Sequence, residues 1–242
     1  MRRNTVLAAF AVMTAAACLA GCGVVNAARK VVHDVEGNKA AIDAFTSSVK
    51  SGEGATFEAT YQTTGSAPVT ITYAAAPPTG LAFKETQSGS STSNVDLIVD
   101  SSGEYSCTPP ASGATSGPGW SCEKLGTASA ATENKLFDIY TPSHWVTFLQ
   151  DFSLAAGLAG DKVTSSTMTV NGFAMRCVDF NAPGVTGTST ICTTSQGILG
   201  YVQVASNSAS FEITSYSATP PASLFALPPG ATVTSPPTTT TP

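Results

Sequence analysis

The stretch Phe57–Gln87, FEATYQTTGSAPVTITYAAAPPTGLAFKETQ, decides how the chain is read. Phe57, Ala59 and Tyr61 alternate with Glu58, Thr60 and Gln62, and Val69, Ile71 and Tyr73 alternate with Thr70 and Thr72. Leu81 and Phe83 follow the turn Pro77-Pro78-Thr79-Gly80. A period of two between turn formers predicts consecutive antiparallel strands, one side apolar and the other polar.

The pattern continues downstream. Val95, Leu97 and Val99 lead through Asp100–Gly103 into Glu104–Cys107, and Trp120–Leu125 returns. Further strands are expected at Lys162–Val170, Phe173–Phe180, Thr188–Thr194, Ile198–Val204 and Ala209–Tyr216. Upstream, Asn38 can cap a helix running to about Lys50, with Ile42, Phe45 and Val49 on one face and Gly52 as its stop. Between the two strand groups the period becomes helical. Ala131–Tyr140 reads as a short helix, and Thr141-Pro142 starts another whose Trp145, Phe148, Leu149 and Phe152 form one bulky stripe, with an end near Gly157 or Gly160. The expected fold class is α+β: a long antiparallel sheet, curved because so many strands do not stay flat, wrapping a few helices.

The N-terminus fixes an address. Arg2 and Arg3 precede an apolar run from Val6 to Ala20 and the small residues Ala20 and Gly21, the layout of a secretory signal. An uncleaved membrane anchor is the competing reading, and the paired arginines leave the export route open. Leu19-Ala20-Gly21-Cys22 resembles the lipobox of bacterial lipoproteins. The resemblance implies cleavage before Cys22, a diacylglyceryl thioether on its sulfur, and a location on the outer face of the cytoplasmic membrane. Residues 1–21 are then the signal peptide, and 22–37 a lipidated tether.

Residues 1–21 carry two of the 11 Lys and Arg and none of the 16 Asp and Glu, so the mature chain has nine basic against sixteen acidic side chains. That balance argues against nucleic acid as a partner, which requires a basic face. Export also leaves Cys107, Cys122, Cys177 and Cys192 in an oxidising compartment. Four cysteines allow three pairings. The loops "CTPPASGATSGPGWSC" and "CVDFNAPGVTGTSTIC" are rich in turn formers and flanked by strand-like residues, which favours Cys107 with Cys122 and Cys177 with Cys192, each stapling a hairpin.

The element order, the strand "FEATYQTTG" and the closing "SLFALPPGATV" resemble the LolA/LolB and LppX/LprG lipoprotein-carrier superfamily over residues 38–233. The resemblance implies an incomplete barrel closed by helices, with a cavity for acyl chains of a lipid or lipoprotein. Phe57, Tyr61, Tyr73 and Phe83 from the sheet and Trp145, Phe148, Leu149 and Phe152 from the helix would then line it. The competing reading uses the same residues as a filled core, in an envelope lipoprotein acting as a scaffold or accessory protein. Residues 234–242, TSPPTTTTP, cannot bury a core and are expected to be a disordered tail.

Catalytic and metal signatures are weak. The two histidines are His33 in the tether and His144, and His144 lies two helical turns from Asp151, too far for a direct hydrogen bond. Ser47-Ser48-Val49-Lys50 has S-x-x-K spacing, but the adjoining Lys50-Ser51-Gly52 would need the same lysine for a second role. No metal, cofactor or enzymatic activity is expected.

Overall fold

The computed structural model describes residues 35–52, 54–87, 93–110, 119–127, 163–181, 186–205 and 209–235. An α-helix, α1 (Val35–Lys50), precedes β1 (Phe57–Thr63), β2 (Val69–Ala76), β3 (Gly80–Gln87), β4 (Ser93–Asp100), β5 (Gly103–Thr108) and β6 (Ser121–Gly126). Then come β7 (Val163–Val170), β8 (Phe173–Phe180), β9 (Ser189–Thr194), β10 (Leu199–Gln203) and β11 (Ser210–Ser217). One turn of 3₁₀ helix, Ala222–Phe225, leads to β12 (Thr232–Thr234).

All twelve strands form one open sheet in the order β12-β6-β5-β4-β3-β2-β1-β11-β10-β9-β8-β7. Two meanders, β1–β6 and β7–β11, meet where β1 pairs antiparallel with β11. The expectation of an α+β protein with several helices is therefore corrected. The described residues are nearly all β, with a single α-helix, because strands and the C-terminal segment supply most of the buried surface. The helices expected over 131–160 lie outside the described residues.

The expected period-two strands all form, and direct pairing shows which side each residue takes. Val178, Ile191, Val202 and Phe211 are successive cross-strand partners from β8 to β11. Ile213, two residues on, pairs with Tyr61, and Tyr61 with Ile71. Ala59, Tyr73, Phe83 and Leu97 carry the same side on to β4. This side is largely apolar and α1 packs on it, but it turns polar at Thr167, Arg176 and Thr193, which are successive cross-strand partners.

The helix buries Ala41, Ile42, Phe45 and Val49 against Val163, Val178, Phe180, Ile191 and Leu199. Its i, i+3, i+7 spacing aims these side chains at the sheet. Phe211 packs against this cluster and also against the larger one around Phe57, Tyr61 and Tyr73, so the two are continuous. The helix begins three residues before the expected Asn38 cap and ends as expected, Gly52 N–H donating to the Val49 carbonyl at 2.9 Å. A Cβ on Gly52 would lie 2.6 Å from the Gly197 carbonyl oxygen, so the two glycines let the end of α1 touch the β9–β10 turn.

On the other side of β4–β6, Ile98, Tyr105, Cys107 and Cys122 are covered by Trp120, Leu227 and Ala231. The C-terminal segment is held there by Thr232 N–H donating to the Trp120 carbonyl at 2.8 Å and by parallel pairing of β12 with β6.

Candidate functional site

Both proposed disulfides are present. Cys107 and Cys122 are direct partners across β5 and β6, and Cys177 and Cys192 across β8 and β9. Register places both on the side of the sheet away from α1. Each staples its own meander: Cys107 and Cys122 belong to the cluster under Trp120 and Leu227, whereas Cys177 and Cys192 belong to the same buried cluster as Phe57, Tyr61 and Tyr73.

On that α1 side the structure brings together the four sheet aromatics. Phe57, Tyr61 and Tyr73 are buried at 2%, 1% and 2% exposure, and Phe83 is half-buried beside Tyr73. The Phe57 and Tyr73 ring centroids are 5.7 Å apart. Sequence reasoning missed two further members, Tyr216, stacked 6.3 Å from Phe57, and Phe211, stacked 4.5 Å from Tyr61. Both sit on β11, and only the β1–β11 register reveals that they face β1. Cys22, Trp145, Phe148, Leu149 and Phe152, and both histidines, lie outside the described residues.

Farther along the same side, a cleft of about 780 Å³ opens between the end of α1 and the β7–β8 hairpin. Ser47, Ser48 and Ser51 form its helical wall, Thr167, Thr169 and Arg176 its floor, and Ser195 one end. A second hollow of about 280 Å³ continues past Arg176 along Ala41, Ala44 and Phe45. Thr193 Oγ1 donates to Ser48 Oγ at 3.0 Å, locking helix to sheet at the cleft. Arg176 is exposed and forms no ion pair among the described residues. Its position fits a cation near a helix C-terminus, and its guanidinium offers donors to an anion entering the cleft.

Ser47 Oγ instead donates to the Asp43 carbonyl within the helix at 2.9 Å, as a helical serine commonly does. Among the described residues no group of three or more His, Cys, Asp or Glu could hold a metal ion.

Two polar features sit on the opposite side. Asp96 is 1% exposed, with Lys84 Nζ 3.3 Å from Oδ2 and no hydrogen-bond partner at Oδ1. Tyr201 donates to Gln203 Oε1 at 2.9 Å, while Ser210 Oγ donates to Glu212 Oε1 at 2.6 Å. Burial pushes the Tyr201 phenol above its ordinary value, and the nearby Glu212 carboxylate adds to the rise, against a smaller lowering by Ser210.

No family model and no curated protein matches the chain. Among the described residues no helix is long and apolar enough to cross a membrane.

Proposed function

We propose that this chain is an exported lipoprotein, anchored through Cys22 to the outer face of the cytoplasmic membrane, whose domain binds a lipid or other hydrophobic ligand without catalysing a reaction. The observation that carries this reading is the largely apolar side of the sheet, which gathers Phe57, Tyr61, Tyr73 and Phe83 and runs under α1 to the polar Arg176 cleft. An amphiphile fits that sequence of surfaces. Its chains would leave water for the apolar side, worth about 0.8 kcal/mol per buried methylene. Its polar end would meet hydroxyls and one guanidinium. The likeness to lipoprotein carriers points the same way.

One observation favours the second reading, a scaffold or accessory lipoprotein. The rings of Tyr61 and Phe211 are in contact at 4.5 Å, so that part of the core is filled by its own side chains.

Native mass spectrometry and lipid extraction of the full chain purified from membranes separate the two. A stoichiometric acyl lipid beyond the covalent anchor is expected, with weaker retention of anionic lipids in Arg176→Gln. A chain that neither carries nor takes up added lipid supports the scaffold. Cys22→Ser should release the protein from membranes, and undiminished membrane retention would remove the anchor from the proposal.

A further inference from the structure

The two edges of the sheet differ. β12 is three residues long and runs into Ser235-Pro236-Pro237, so it offers little to pair with. β7, VTSSTMTV, is eight residues long and pairs with β8 without a register shift. It holds no charge and no proline, and Thr164–Thr167 and Thr169 are exposed. Proteins normally guard an edge with lysine, proline, a bulge or shortness, and β7 has none of these.

The β7–β8 turn shows which backbone groups are available. Asn171 and Gly172, at φ 51° and 84°, make a two-residue turn of the primed kind, so the flanking pair Val170/Phe173 is hydrogen-bonded. Alternation then directs the N–H and C=O of Met168, Ser166 and Thr164 toward β8, and those of Ser165, Thr167 and Thr169 outward. The next strand agrees in phase. Cys177, partner of Ser166, faces Cys192 at a Cα distance of 4.0 Å, the close spacing of a non-hydrogen-bonded pair. The outward groups of Ser165, Thr167 and Thr169 meet no backbone partner among the described residues.

We infer that β7 is a self-pairing edge, at which a second copy of this chain adds antiparallel about a two-fold axis through Thr167. The three outward residues are symmetric about Thr167. That axis sets Thr167 against the partner's Thr167, and Ser165 against the partner's Thr169. Cross-strand Thr–Thr and Thr–Ser neighbours are favourable, and the remaining contacts, Ser166 with the partner's Met168 and Thr164 with the partner's Val170, bring no charges together. Charge at the edge does not oppose a second copy. At net charge −5 over the whole chain, two copies repel over most approaches, and a neutral edge removes that repulsion locally. A C2 arrangement also uses up the β7 edge of both copies and closes the assembly at two.

The test is sedimentation equilibrium of the full chain in density-matched detergent. The wild type should sediment as a dimer. Thr167→Pro, which removes an outward N–H and no bond to β8, and Ser165→Lys should each halve the mass with unchanged far-UV circular dichroism. If the proline variant loses its strand signal, Ser165→Lys decides alone. A wild-type monomer at the highest attainable concentration, or a dimer that survives Ser165→Lys, overturns the inference.

Discussion

Lys84 and Asp96 face each other across β3 and β4, the ammonium 3.3 Å from a carboxylate that is 1% exposed while the lysine keeps 31% of its side chain in water. Removing the lysine leaves a buried charge without its counterion, whereas removing the carboxylate leaves a lysine that can turn to solvent. Lys84→Met should therefore cost about 3 kcal/mol of unfolding free energy and Asp96→Asn distinctly less. Urea denaturation of both variants checks this order, and equal losses would contradict it.

The disulfide sulfurs are enclosed, with Cys107, Cys122 and Cys192 at 0% exposure and Cys177 at 2%. Mild reductant should leave both bridges intact in the folded protein, so thiol labelling should stay near zero until denaturant is added. Replacing Cys177 and Cys192 together by alanine should lower stability by roughly 3 kcal/mol, the loop-closure estimate for this spacing. Denaturant midpoints and labelling read by mass spectrometry measure the two effects separately.

Gly197 and Gly172 both have positive φ, 77° and 84°, but different surroundings. A Cβ on Gly197 would collide with the backbone of Ser48 and Gly52, whereas one on Gly172 would meet nothing within 4 Å. Gly172→Ala should cost about 1 kcal/mol, the backbone term alone. Gly197→Ala should cost at least twice that and also loosen α1, detectable as faster amide exchange over Ser47–Lys50. Equal penalties would mean that the close approach of helix and turn contributes nothing.

Tyr201 sets an alkaline limit. Its phenol holds its proton to higher pH in the folded state than the ordinary value of 10.0 because of burial first and the Glu212 carboxylate second. The folded state then binds the proton more tightly than the unfolded one. Its contribution is complete below pH 10.0 and falls as pH rises through the folded value. Tyr201→Phe should flatten this alkaline decline, followed by denaturant midpoints above pH 10.0.

Much of the sheet was legible in single strands. Alternation in "FEATYQTTG" and "VTITYAAA" marks buried positions correctly, and the turn-rich intervals between cysteines locate both hairpins. The signal fails where both sides of a strand are covered. In β9, Thr193 and Thr194 are 1% exposed because α1 and the following turn close over them, and nothing in "STICTT" separates these threonines from solvated ones. β12 was missed because three residues carry no period and their parallel partner lies 111 positions earlier, at Thr232 opposite Ser121. The Arg176 cleft was missed for a related reason. Its walls come from α1, β7, β8 and the β9–β10 turn, and only packing brings them together.

The join between β1 and β11 has a consequence for how the molecule assembles and parts. Every other antiparallel neighbour is also a neighbour along the chain, so each meander can form from local hairpins, and each contains its own cross-link. Tyr61 meets Ile213 only after the chain has closed a very long loop, an entropic cost that defers this contact until the halves exist. The same seam, knit by Thr214 Oγ1 donating to the Thr60 carbonyl at 3.2 Å and by the Tyr61–Phe211 stack, has no covalent reinforcement. Under a pulling force it is the line along which the sheet would tear into two separately stapled pieces, still tied where β12 returns to β6 and where α1, which leads into β1, packs on β7–β10.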